Sequence, residues 1–132
     1  MKLEHIGIAI RNSADSEKIF AELLGSDSYK SENVESEGVK TTFFHLGESK
    51  IELLQALDPN STVAKFIEKR GEGIHHLAFE VEDIDFELNR LEELGYQLIH
   101  RTPKDGADNK RIAFLHPKST NGVLIELCQE KT

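Results

Sequence analysis

The chain has 132 residues, 38% of them hydrophobic, enough for one compact domain or for two fused modules too small to be stable apart. A formal net charge of −8 repels a nucleic-acid backbone, and no run approaches the roughly 18 apolar residues of a membrane span, so neither is an expected partner. A single cysteine, Cys128, excludes an internal disulfide and fits a reducing compartment; with no signal-peptide pattern after Met1, the expectation is a cytoplasmic protein.

Residues Leu3 to Ile10 alternate apolar with small or polar side chains, which predicts a half-buried strand with Ile6, Ile8 and Ile10 on one face and His5, Gly7 and Ala9 on the other. Asn12 or Ser13 then caps a helix whose Ile19, Phe20, Leu23 and Leu24 keep helical spacing until Gly25 ends it. Strands are predicted near Tyr29, over Val39 to Leu46 and over Lys50 to Gln55. Ser61 to Lys69 reads as a short amphipathic helix with Val63, Phe66 and Ile67 inward, followed by the flexible Gly71-Glu72-Gly73. His75 to Val81 is a second His-bearing strand. A helix starting at Asp83 or Asp85 carries Leu88, Leu91 and Leu94 and stops at Gly95. Strands over Gln97 to Arg101, Arg111 to His116 and Val123 to Cys128 complete the chain. The order βαβββ is used twice, which divides the chain into a module at 1–57, a linker helix at 58–72 and a module at 73–132. The expected class is α+β, with the two tandem modules forming a cupped mixed sheet around a metal site.

The two modules repeat one another residue by residue. His5 and His76 are 71 apart, as are Phe43 and Phe114, while Glu52 and Glu126 are 74 apart in the matching motifs Ile51-Glu52-Leu53 and Ile125-Glu126-Leu127. Strand parity lets His5, Glu52, His76 and Glu126 share one concave face. A lone strand histidine or glutamate is ordinarily a hydrogen-bonded or solvated group; two of each at repeat-equivalent positions argue for metal ligands. Such a mixed N/O set suits a divalent ion such as Co2+, Ni2+, Zn2+ or Mn2+ better than a thiolate-bound structural zinc. Four protein ligands leave an octahedral ion two open positions, which favours catalysis, and the natural reaction class is proton abstraction beside a carbonyl. His75 adjoins His76 and becomes the ligand if the strand parity is reversed. His45 and His116, also 71 apart, read as strand ends; Cys128 reads as buried filler and Glu48 as part of a solvated hairpin turn.

The stretch Lys110-Arg111-Ile112-Ala113-Phe114-Leu115-His116-Pro117-Lys118-Ser119-Thr120-Asn121-Gly122-Val123-Leu124-Ile125-Glu126-Leu127 carries a sharper likeness. Ser61-Thr62-Val63-Ala64-Lys65-Phe66 and Gly73-Ile74-His75-His76-Leu77-Ala78 support it. On these residues the chain resembles the vicinal oxygen chelate superfamily (glyoxalase, bleomycin resistance and dioxygenase proteins) and, within it, the methylmalonyl-CoA epimerase family. The resemblance implies the glyoxalase-like fold, a homodimer, a divalent metal that is often cobalt, and His5, Glu52, His76 and Glu126 as its ligands. It also implies interconversion of (2R)- and (2S)-methylmalonyl-CoA through a metal-stabilised enolate. Some members place a glutamate base where this chain has Thr41, so Glu126 and Glu52 are expected to serve as both ligands and proton carriers. The acyl-CoA substrate needs local cations, for which Lys110, Arg111 and Lys118, with Ser119, are the candidates. Residues 105–109 read as a cover over the site. The competing readings are a glyoxalase I-like lyase, a dioxygenase, which Glu52 disfavours by closing a position needed for oxygen, and a non-enzymatic ligand-binding protein.

Overall fold

Two βαβββ runs follow one another in the computed structural model of the chain, which describes residues 1–131. The first comprises β1 (Lys2–Ile10), α1 (Ser13–Leu24), β2 (Lys30–Val34), β3 (Val39–Leu46) and β4 (Ser49–Ala56). A connecting helix, α2 (Thr62–Arg70), leads to β5 (Gly73–Glu80), α3 (Ile84–Glu93), β6 (Lys104–Asp105), β7 (Lys110–Leu115) and β8 (Ile125–Glu130). The α+β class and the repeated element order therefore match the expectation from sequence. The chain forms two compact units: His5–His75, and residues 76 onward together with Met1–Glu4.

In the first unit the strand order is β2-β3-β4-β1, with β1 parallel to β4 and the other pairs antiparallel. The apolar face of these strands packs Ile10, Phe44, Ile51 and Leu53 against Phe20, Ala21 and Leu24 of α1. Full burial of such a side chain contributes about 1.5–3 kcal/mol, so this layer fixes which strand face points away from the helix. Helix α1 starts where the Asn12 side chain accepts the Asp15 N–H at 3.0 Å. It ends at Gly25, whose left-handed φ of 73° is open to glycine without strain. Ile19 and Leu23, part of the same periodic run, lie on its exposed side. Helix α2 belongs to this unit, with Ser61 accepting the Ala64 N–H at 3.1 Å and Val63 buried.

The second unit repeats the pattern as β5-β8-β7-β6, with β5 parallel to β8. Val81, Ile84, Leu88, Leu91, Ala113, Leu115 and Leu127 form its core beneath α3. Asp83 caps that helix by accepting the Phe86 N–H at 3.1 Å. The opposite strand face carries a second, smaller cluster of Ala78, Ile112 and Cys128, with Phe114 beside it.

One predicted element is absent. Residues 97–101 make only an isolated bridge, Leu98 to Leu115, and the edge strand comes later, at Lys104–Asp105. Side chains take part of the ladder there: His100 Nδ1 accepts the Phe114 N–H at 3.1 Å and Ser119 Oγ accepts the Gln97 N–H at 2.8 Å, while the His116 N–H still donates to the Gln97 carbonyl at 2.8 Å. The N–H groups of Ile99 and His100 both go to the Phe114 carbonyl, at 2.9 and 3.3 Å, which bends the chain out of strand geometry. Among the described residues no helix is long and apolar enough to cross a membrane.

Candidate metal and catalytic site

Each unit builds one buried histidine–glutamate pair from a parallel strand pair. In the first, Ile6 and Ile8 pack toward α1, so the alternation of β1 sends His5 to the other face. Glu52 on β4 does the same, because Ile51 and Leu53 face the helix. The residue opposite Glu52 on β1 is Gly7, which offers no side chain to obstruct the carboxylate. His5 Nδ1 lies 3.1 Å from Glu52 Oε2. In the second unit Glu126 on β8 stands opposite Ala78 on β5, again a small residue, and its Oε1 lies 3.0 Å from His76 Nε2. Phe43 and Phe114 are the antiparallel neighbours of Glu52 and Glu126 respectively. The Phe114 ring meets the His76 ring edge-on at 5.6 Å between centroids.

All four residues are between 4% and 6% exposed. A carboxylate withdrawn from water to that degree is costly unless a cation compensates it, either a proton on the neighbouring imidazole or a bound metal ion. Imidazole nitrogen and carboxylate oxygen form a donor set for a divalent ion of borderline hardness, so the residues fit the metal that the sequence suggests. No thiolate is available to change that preference. Burial, followed by the charges of Glu126 and Glu4, pushes the Cys128 thiol well up, in keeping with its place in the apolar cluster of Ala78 and Ile112.

The four residues proposed from sequence to hold the substrate are not gathered in one place. Lys110 is buried, with Nζ 3.1 Å from Glu130, 3.6 Å from Glu80 and 3.9 Å from Glu4. Its charge is thus engaged by three carboxylates. Arg111 turns to the helix side of β7 and pairs with Asp85 at 3.3 Å. Lys118 and Ser119 lie in a 3-10 turn beyond the far end of β7, where Lys118 is exposed and its N–H donates to His116 Nδ1 at 3.1 Å. Asp105, in the segment read as a cover, forms an ion pair with Lys131 at 2.7 Å.

The other singled-out residues are equally specific in their placement. His75 packs edge-on to Phe66 at 5.1 Å, while its neighbour His76 makes the glutamate pair. His45 stacks on Tyr29 at 3.8 Å, Thr41 is buried in β3, and Glu48 is exposed in the turn between β3 and β4. The sequence pattern does not single out Glu4 or Lys50, and His100 carries no signal in it. For Lys50 a signal existed, since it precedes Glu52 by two residues and shares its strand parity; for Glu4 and His100 the partners are distant in sequence.

A family model described as Glyoxalase/Bleomycin resistance protein/Dioxygenase superfamily matches residues 4–114. An ethylmalonyl-CoA/methylmalonyl-CoA epimerase of Cereibacter sphaeroides is 38% identical over 130 residues, spanning 97% of each chain. An uncharacterized Bacillus subtilis protein, YqjC, is 42% identical over 130 residues, spanning 98% of this chain and 93% of its own. Among solved structures, a variant of Streptomyces coelicolor methylmalonyl-CoA epimerase in complex with 2-nitronate-propionyl-CoA superposes with a TM-score of 0.95. It is 30% identical, and the match covers 100% of this chain and 96% of that one.

Proposed function

Because the chain belongs to the glyoxalase/bleomycin resistance protein/dioxygenase superfamily and, within it, to the methylmalonyl-CoA epimerases, a family of enzymes, we propose that it interconverts (2R)- and (2S)-methylmalonyl-CoA by moving the proton on C2. The observation that carries this reading is the pair of buried His–Glu contacts, His5–Glu52 and His76–Glu126, one in each unit and both close to 3 Å. In this reading the four side chains hold one divalent ion, Co2+ in the first place, with Ni2+, Zn2+ and Mn2+ as alternatives. The chemistry such an ion supplies is stabilisation of the negative charge that develops on the thioester oxygen as the C2 proton leaves.

The chain's own residues then have two tasks. Inversion at C2 needs a proton removed on one face and delivered on the other, and Glu52 and Glu126 are the carboxylates that carry it. Their imidazole neighbours fix which carboxylate oxygen is held and which is left to reach the substrate. Thr41, a neutral hydroxyl, has no basicity for this work at neutral pH. Phe43 and Phe114, each beside one of the two glutamates, keep water from the enolate. This reading assigns a CoA phosphate to Lys118, the exposed cation of the four named from sequence, because Lys110 and Arg111 are occupied by carboxylates. The same reading carries a homodimer acting in the cytoplasm on an acyl-CoA.

The test is to strip the protein of metal, restore it with Co2+ and add (2S)-methylmalonyl-CoA in deuterated buffer. Metal-dependent loss of chirality with deuterium entering C2 is expected. Absence of exchange with Co2+, Ni2+, Zn2+ and Mn2+ alike would overturn the epimerase reading and direct the search to a glyoxalase I-like lyase.

A further inference from the structure

Lys50 lies opposite His5 on β1 and opposite His45 on β3, in the registers that β4 shares with its two neighbours. Ile51 and Leu53 pack toward α1, so the two-residue alternation puts Lys50 on the strand face that carries Glu52. The lysine is half-buried, and Tyr29 stacks on His45 at 3.8 Å with the rings 12° from parallel. A lateral row therefore runs Tyr29, His45, Lys50, His5, with Phe43 and Glu52 paired in the next row. The same face has one other lysine in this unit, Lys30, which sits over the Phe43 ring at 4.8 Å and pairs with Glu32 at 3.9 Å. Lys50 alone of the two is a direct strand neighbour of a proposed metal ligand. Among the cations named from sequence, Lys110 is held by carboxylates and Arg111 faces the helix.

We propose that Lys50 binds the free carboxylate of the substrate and so selects malonyl-type CoA esters over simple acyl-CoAs. The assignment rests on the epimerase reading. A malonyl-type ester differs from a simple acyl-CoA by the carboxylate on the reacting carbon. An ammonium group in the row beside His5 recognises that difference by a charge-assisted hydrogen bond. It also offsets the second negative charge that builds next to the carboxylate as C2 loses its proton.

The experiment measures binding of malonyl-CoA and acetyl-CoA to the Co2+-loaded protein by calorimetry, for the wild type, Lys50→Met, Lys50→Gln and Lys50→Arg. Circular dichroism and Co2+ affinity serve as controls for fold and metal site. The wild type should prefer malonyl-CoA. Lys50→Met and Lys50→Gln should lose roughly tenfold to a hundredfold of that preference, the scale of a hydrogen bond to a charged group, with acetyl-CoA binding unchanged. Lys50→Arg should keep most of it. An unchanged preference in either neutral variant, or no preference in the wild type, would overturn the assignment. Deuterium exchange into methylmalonyl-CoA separates the two ideas: exchange without a malonyl preference removes Lys50 alone, and a Lys50-dependent preference without exchange removes the epimerase reading alone.

Discussion

If His5, Glu52, His76 and Glu126 hold one ion, that ion must raise the melting temperature, and replacing any one of the four must remove most of the rise. For 132 residues, a melting entropy of about 2.1 cal/mol/K per residue gives about 0.28 kcal/mol/K for the chain. Free Co2+ at a hundred times its dissociation constant stabilises the folded state by about 2.7 kcal/mol, which corresponds to a rise of about 10 °C. Glu126→Gln keeps the size of a side chain packed between Ala78 and Phe114 and keeps an amide oxygen, but removes the buried charge 3.0 Å from His76. A hundredfold weaker site leaves the same Co2+ concentration near its dissociation constant, where stabilisation is about 0.4 kcal/mol and the rise about 1.5 °C. Scanning calorimetry with and without Co2+, reversed by a chelator, reads the difference directly; Glu52→Gln, His5→Ala and His76→Ala should behave alike. A variant that keeps the full rise is not a ligand. Loss confined to one histidine–glutamate pair would show that the two pairs do not share an ion.

Three further outcomes follow from contacts described above. Lys110→Met leaves the buried Glu4 carboxylate without its cation and should destabilise the protein by about 3–5 kcal/mol in urea melts; a cost below about 1 kcal/mol would mean that Glu4 is solvated or protonated. Burial holds the Cys128 thiol neutral in the folded state, whereas the unfolded thiol ionises near 9.0. Its contribution to stability is therefore complete below pH 9 and is lost above it at up to about 1.4 kcal/mol per pH unit, a loss that Cys128→Ala should lack when melts are compared from pH 8 to pH 11. His100→Leu removes the acceptor for the Phe114 N–H and should speed exchange of that amide with deuterium by roughly tenfold, whereas His100→Asn, which keeps an acceptor, should restore part of the protection; equal exchange in all three proteins would show that the bond is not formed.

The repeat was legible because it is local. Period-2 alternation assigns faces within a single strand, and it separates His5 from Ile6 and Glu52 from Ile51 without knowledge of any partner. The helix ends were legible for the same reason, since Asn12, Ser61, Asp83 and Gly25 act on backbone groups within four residues. Lys110 is a substrate-binding candidate from sequence, but its burial among carboxylates was not legible there, because those partners come from β1, β5 and β8 and no window of sequence brings Glu4 and Lys110 together. The edge of the second unit failed for a related reason. Gln97 to Arg101 has strand-like composition, but the His100 side chain captures the Phe114 N–H that a pairing strand would have taken, and only the folded chain shows that competition.

The grouping of Met1–Glu4 with residues from 76 onward has a bearing on how the chain reaches its native state. During synthesis Glu4 leaves the ribosome long before β7 and β8 exist, so its carboxylate must wait, hydrated, until Lys110 has emerged. Closing that contact joins positions far apart in the chain and carries a large loop-closure cost, which places it among the slow steps of folding. A ribosome stalled with β8 still in its tunnel should therefore hold a nascent chain in which α1 and β2–β4 resist protease while the amino-terminal residues remain open to cleavage.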